Sequence, residues 1–167
     1  METQLLLLAI LILFSAFFSG TEMAYIVSNR LKIEIKAGKK NPGAKAAHYF
    51  INNPDKFFST LLIGNNIANI TFASISAIFL HEYFGFNDFA ILIISTLLVL
   101  FFGELIPKYI GREMSTTLLV LSSIPMRALY LIFFPLVKLF GYFTLFISRK
   151  KSSSDSLHEI VRREDLQ

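Results

Sequence analysis

The chain contains no cysteine. That absence excludes disulfides, thiolate metal sites and cysteine nucleophiles. Histidine is scarce: His48, His81 and His158 all lie outside the long apolar runs. Residues 1–4 lack a positive n-region and the apolar run that follows outlasts a signal peptide's, so no cleavable signal is expected. The turn between two later apolar runs, HEYFGFND at 81–88, carries Glu82 and Asp88 but no lysine or arginine.

What the chain has in excess is apolar residues. They make up 54% of 167 residues, with 18 phenylalanines, and the mean hydropathy is +0.58. An ordinary soluble domain is about 45–50% apolar. The excess is clustered, in runs such as 5–18, 89–102 and 128–147, which marks a membrane protein. The isoelectric point near 9.4 would suit a nucleic-acid binder. Here the basic residues flank the apolar runs, so membrane topology accounts for them and no nucleic acid is expected.

Three spans are predicted, at 5–27, 57–80 and 89–110, each long enough to cross about 30 Å at about 1.5 Å per residue. Asn53-Pro54 before the second has the form of an N-cap and a first-turn proline. The segment 30–56 holds seven lysines and arginines against Glu34 and Asp55. The positive-inside rule puts it in the cytosol, the turn 81–88 outside, and the N-terminus outside. Within it, 30–52 is predicted as a short helix pair broken at Asn41-Pro42-Gly43.

The segment 127–149 is apolar enough to span, yet is expected to lie in the interface plane. Arg127, Lys138 and Arg149 are eleven apart, within about 40° of one another on a helix, and a basic stripe of this kind suits an interfacial helix. Spanning would place Lys138 at the bilayer centre at a cost of about 2.5–3.5 kcal/mol. Pro135 is expected to kink this helix. An odd number of spans also leaves Arg149-Lys150-Lys151 and the C-terminus in the cytosol. KSSSDS at 151–156 has linker composition, and Ser156-Leu157-His158-Glu159 has capping-box spacing for a helix that is expected to be cut short at Gln167. The expected fold is thus all-α: three transmembrane helices, an interfacial juxtamembrane helix and short cytosolic helices.

Polar side chains inside the spans are costly and mark packed interfaces or ion paths. Ser19 lies roughly 21 Å and Glu104 roughly 22 Å from the outer edge, while Asn65 is roughly 13 Å from the inner edge with Asn69 one turn further out. These groups converge in the cytosolic half. Pro107 has no N–H for the carbonyl four residues back, which belongs to Gly103, so one backbone oxygen is released beside the Glu104 carboxylate. Unwound carbonyls at membrane depth are used to hold cations. The candidate metal set is Ser19, Asn65, Asn69, Gly103 and Glu104, with Pro107 and Gly20 as helix-kinking support. All its donors are hard oxygens, which suit Mg²⁺, Ca²⁺ or Na⁺ and disfavour Zn²⁺ or Cu⁺. Asn66, Asn69 and Ser15 are equally well explained as helix glue, Glu22 as solvated at the inner surface, and Lys108 as snorkelling to it. No HExxH, Ser/His pair or paired aspartates lie in the spans, so no enzyme is expected.

FFSGTE at 17–22, NPDKFFSTLLIGNNIANI at 53–70 and FGELIPK at 102–108 together resemble the transmembrane domain of the CNNM/CorC (cyclin M) family of magnesium transport proteins. The resemblance covers nearly all of 1–150, leaving 151–167 as linker and the start of a cytosolic helix. It implies a homodimer in the cell membrane, with three spans and a belt-like juxtamembrane helix per subunit. It also implies Mg²⁺ export, with Na⁺ entry as the driving reaction. By motif position Ser19, Asn65, Asn69, Gly103, Glu104 and Pro107 match family positions. Family members continue into a cytosolic helical bundle and a nucleotide-binding CBS module, neither of which lies in these residues. The functional expectation is Mg²⁺ transport by alternating access. The alternative is a membrane-anchored Mg²⁺ sensor or scaffold that moves no ions.

Overall fold

The computed structural model describes the backbone of residues 1–164 and the side chains of residues 1–139. Every described element is helical: α1 (Glu2–Val27), α2 (Arg30–Gly38), α3 (Pro42–Ile51), α4 (Pro54–Phe84), α5 (Asp88–Leu98), a π-helical segment (Val99–Leu105), α6 (Ile106–Glu113) and α7 (Ser115–Glu164). Four stretches are long and apolar enough to cross a membrane: Glu2–Val27, Pro54–Phe84, Asp88–Glu113 and Ser115–Leu139. The first three contain the predicted spans. Ser115–Leu139 also qualifies by length and composition, where the spacing of basic residues predicts an in-plane helix.

Short polar residues set the helix boundaries. Asn29, Asn41 and Asn87 each accept a hydrogen bond from the backbone N–H three residues on, at 2.9–3.0 Å, and so begin α2, α3 and α5. Gly85, at φ +64°, ends α4 in the left-handed conformation that only glycine adopts cheaply. Two boundary expectations need correction. Asn53 stands at the N-cap position of α4, but its side chain does not cap; Nδ2 turns back and donates to the Tyr49 carbonyl at 2.9 Å. Residues 151–156, linker-like in composition, are helical in backbone and continue α7, which also runs through Pro125 and Pro135.

α1 is the central helix, packed against α4, the π-helical segment, α6 and α7. Two apolar clusters hold the bundle. One joins Phe18, Tyr25, Phe50, Phe57, Leu119 and Met126. Tyr25 stacks on Phe57 at 4.2 Å between ring centroids, and Phe50 meets Phe57 edge-on at 5.4 Å. The other joins Leu8, Phe72, Phe79, Leu80 and Ile91 at the opposite end of the bundle.

Helix α3 lies alongside α7 rather than projecting away. A Cβ on Gly43 would collide with the Val120 carbonyl, so this glycine is a close-approach point inside α3, not part of the break before it. Further along, Phe50 packs on Tyr130 at 6.4 Å, and the Arg127 guanidinium sits 4.8 Å from the Tyr49 ring centroid. Lys56 completes this corner, with Nζ donating to the Tyr49 hydroxyl at 3.1 Å.

Candidate cation site

Between the two clusters lies a polar layer built from three helices. Ser15 on α1, 1% exposed, is its centre. Its hydroxyl is 3.3 Å from Asn65 Oδ1 on α4 and 3.4 Å from the Gly103 carbonyl oxygen in the π-helical segment. A hydroxyl carries one proton and can serve one acceptor at a time. The Ser15 proton can therefore serve Asn65 Oδ1 or the Gly103 oxygen but not both at once, so one of them goes short of it. A cation answers that shortage directly, because each oxygen has a lone pair to offer.

Local sequence explains the arrangement. Pro107 cannot donate to the Gly103 carbonyl, and the Ser15 hydroxyl comes to that oxygen instead. Gly103 has no side chain to keep α1 away: a Cβ there would lie 2.8 Å from Ser15 Oγ and 3.2 Å from Ser15 Cβ. The helix before Pro107 is wound as a π-helix over Val99–Leu105. Such turns accommodate additional residues and recur at functional sites. On the next turns, Gly20 and Gly111 bring α1 and α6 to backbone contact, and a Cβ on Gly111 would overlap the Gly20 carbonyl. The glycine at 20 therefore serves close packing, not the kinking support predicted for it; α1 is unbroken from Glu2 to Val27.

The predicted residues divide into those the structure joins and those it leaves nearby. Asn65 and Gly103 are joined through Ser15. Ser19, one turn along α1 from Ser15, is 1% exposed, and its hydroxyl has no hydrogen-bond partner among the described residues. Asn69 Oδ1, one turn along α4 from Asn65, is likewise buried without a partner among the described residues. Glu104 follows Gly103 and lines a cleft of about 720 Å³ together with Asn69. Neither Ser19 nor Glu104 hydrogen-bonds to Asn65, Asn69 or Gly103 among the described residues. Lys108 and Glu22, expected to reach water separately, pair across α6 and α1 at 3.4 Å.

Ser15 is the residue that sequence reasoning underweighted. Depth held the signal. Ten residues from Leu5, it lies roughly 15 Å in, closer to the level of Asn65 than Ser19 is. Among the described residues no three of His, Cys, Asp or Glu converge, so the site has neutral oxygens with Glu104 as its neighbouring charge.

Comparisons with known proteins agree with the motif pattern. The model of the cyclin M transmembrane N-terminal domain, CNNM, matches residues 6–167. A UPF0053 protein of Haemophilus influenzae is 30% identical over 172 residues, covering 96% of this chain and 41% of that protein. The UPF0053 inner membrane protein YfjD of Escherichia coli is 32% identical over 136 residues, covering 81% and 32%. The UPF0053 protein sll1254 of Synechocystis is 32% identical over 139 residues, covering 81% and 39%. The chain thus spans about a third to two-fifths of the length of these relatives.

Proposed function

The chain belongs to the cyclin M transmembrane family, a multi-pass membrane family, and on that premise we propose that it is the ion-carrying domain of a Mg²⁺ transporter. The observation that carries this reading is the meeting of Ser15, Asn65 and Gly103, three hard oxygens from three helices gathered at one hydroxyl. The buried oxygens of Ser19 and Asn69, without a partner among the described residues, lie a turn away and extend the donor set. In this reading the cation loses part of its hydration shell to these oxygens, and Glu104 supplies the opposing charge. Mg²⁺ fits the hard donors, although it gives up water reluctantly. A single carboxylate is a modest charge for a divalent ion, which gives Na⁺ a role as competitor or counter-ion. Transport is by alternating access in a homodimer in the cell membrane, outward for Mg²⁺, with no covalent chemistry.

The measurement that tests this is Mg²⁺ flux in proteoliposomes holding the purified protein as its sole protein. Flux above that of empty vesicles supports transport. A folded protein that binds Mg²⁺ but passes none overturns it and leaves the sensor or scaffold reading.

The proposed topology has the N-terminus outside, three spans, and α7 along the cytosolic surface. Its support is the packing of α3 against α7. Residues 42–51 belong to the basic segment assigned to the cytosol, and Val120, Arg127 and Tyr130 of α7 lie along them. A helix that follows α3 for ten residues stays near the surface that α3 occupies. The cysteine-free background allows a clean check with Ile132→Cys, which replaces an exposed residue of α7. This thiol should react with an impermeant reagent from the cytosolic side; protection from both sides would mean that α7 spans.

A further inference from the structure

The cleft beside Glu104 does not stop at the site. From Asn69 and Glu104 it runs between α4 and α5 past Ser95 and Thr96 to His81 and Asp88. Those last two flank the turn assigned to the outer face. Asp88 and Glu104 are sixteen residues apart, roughly 24 Å of helix, so the cleft covers most of the bilayer depth beyond the site.

The walls of this cleft are mainly apolar, and it is open rather than enclosed. Polar groups interrupt its wall at three levels: Asn69 with Glu104, Ser95 with Thr96, and His81 with Asp88. At the middle level Ser95 is buried with its hydroxyl paired to that of Ser76 at 2.8 Å, and Thr96 lines the wall beside it. On α4 the positions facing it at one-turn spacing include Ala73 and Ala77, too small to close it. At its inner end stands a carboxylate with no ion-pair or hydrogen-bond partner among the described residues. An ionised carboxylate at that depth needs water or a cation beside it. Asp88 at the mouth, with Glu82 in the same turn, raises the local concentration of cations there.

We propose that this cleft is the outward arm of the cation path, a wetted passage joining Glu104 to the outer face at His81 and Asp88. The inference rests on the transport reading above for its purpose, but its test does not depend on flux. The chain has no cysteine, so Thr96→Cys introduces the sole thiol, halfway along the cleft. Leu97→Cys, one residue on, is exposed but does not line it. The full chain is reconstituted and a membrane-impermeant cationic methanethiosulfonate is added on the outer side. Thr96→Cys is expected to react at least tenfold faster than Leu97→Cys. It should also react faster with the cationic reagent than with an anionic one of similar size, a preference that Glu104→Gln reduces. Ala73→Cys on the α4 wall repeats the measurement should the first variant fold poorly. Equal rates at 96 and 97 overturn the proposal, since they mean a groove filled by lipid or by a second copy of the chain. Reaction solely from the cytosolic side overturns it too. Labelling without Mg²⁺ flux would keep the passage and remove the transporter; flux without labelling would do the reverse.

Discussion

Glutamine in place of Glu104 is expected to lower Mg²⁺ flux by about a hundredfold or more, with the folded protein intact. The size follows from charge. At ~4 Å and an effective dielectric of ~20, one carboxylate attracts a unit positive charge by about 4 kcal/mol, and a divalent ion by about twice that. Dehydration of Mg²⁺ offsets much of this attraction, yet each ~1.4 kcal/mol that survives is tenfold. The other candidate donors are neutral, so nothing else at the site replaces the lost charge. Glutamine keeps the shape. Glu104 has no hydrogen-bond or ion-pair partner among the described residues, so the change orphans no group in the fold. Flux and thermal unfolding measured on the same preparation check this. Wild-type flux would show that the cation is held without the carboxylate. Ser15→Ala is expected to cost less, about tenfold, because Asn65 and Gly103 keep their oxygens when the hydroxyl goes.

Alanine at Gly111 should do more general damage. A Cβ there overlaps the backbone carbonyl of Gly20, which cannot rotate away as a side chain would. α1 and α6 must separate, and overpacking of this kind costs about 1–3 kcal/mol. Because Pro107 also lies against Gly20, the shift carries the start of α6 with it and loosens the approach of Gly103 to Ser15. Lower thermal stability and strongly reduced flux are expected together. Gly38→Ala is the matched control: a Cβ there meets nothing within 4 Å, so removing the glycine should leave stability unchanged or slightly raised. A Gly111→Ala protein that melts like the wild type would show that this crossing tolerates separation.

Much of this architecture was legible in the residues. Long, mainly apolar stretches identified α1, α4 and the α5–α6 stretch, because a helix in lipid needs length and apolarity more than pattern. Asn41-Pro42 marked the start of α3 through a cap and a first-turn proline, and GELIP marked the interrupted helix. Other features left no readable trace. The π-winding of 99–105 lies in VLFFGEL, where apolar residues on all sides hide a change of period. Ser15 and Ser19 share one helix face; depth favours Ser15, but its contact with the Gly103 carbonyl rests on close packing at Gly103, which the sequence does not display. Asn53 had two uses open to it, cap or tether, and the nearby Tyr49 carbonyl decided between them. Helix across KSSSDS contradicts composition, since serine disfavours helix only weakly.

The π-helical segment has a consequence for how this region can vary. An α-helix turns 100° per residue. Additional winding before Pro107 therefore sets the angle at which everything after it faces α1 and the cleft. Position along 99–105 is held by a count of residues more than by their identity. Exchanging one exposed apolar residue there for another, at Leu100 or Phe102, leaves that count untouched. Losing or gaining a single residue swings Gly111 off the Gly20 carbonyl by about a quarter turn. In this stretch the geometry depends on the number of residues more than on which apolar residue stands at each position.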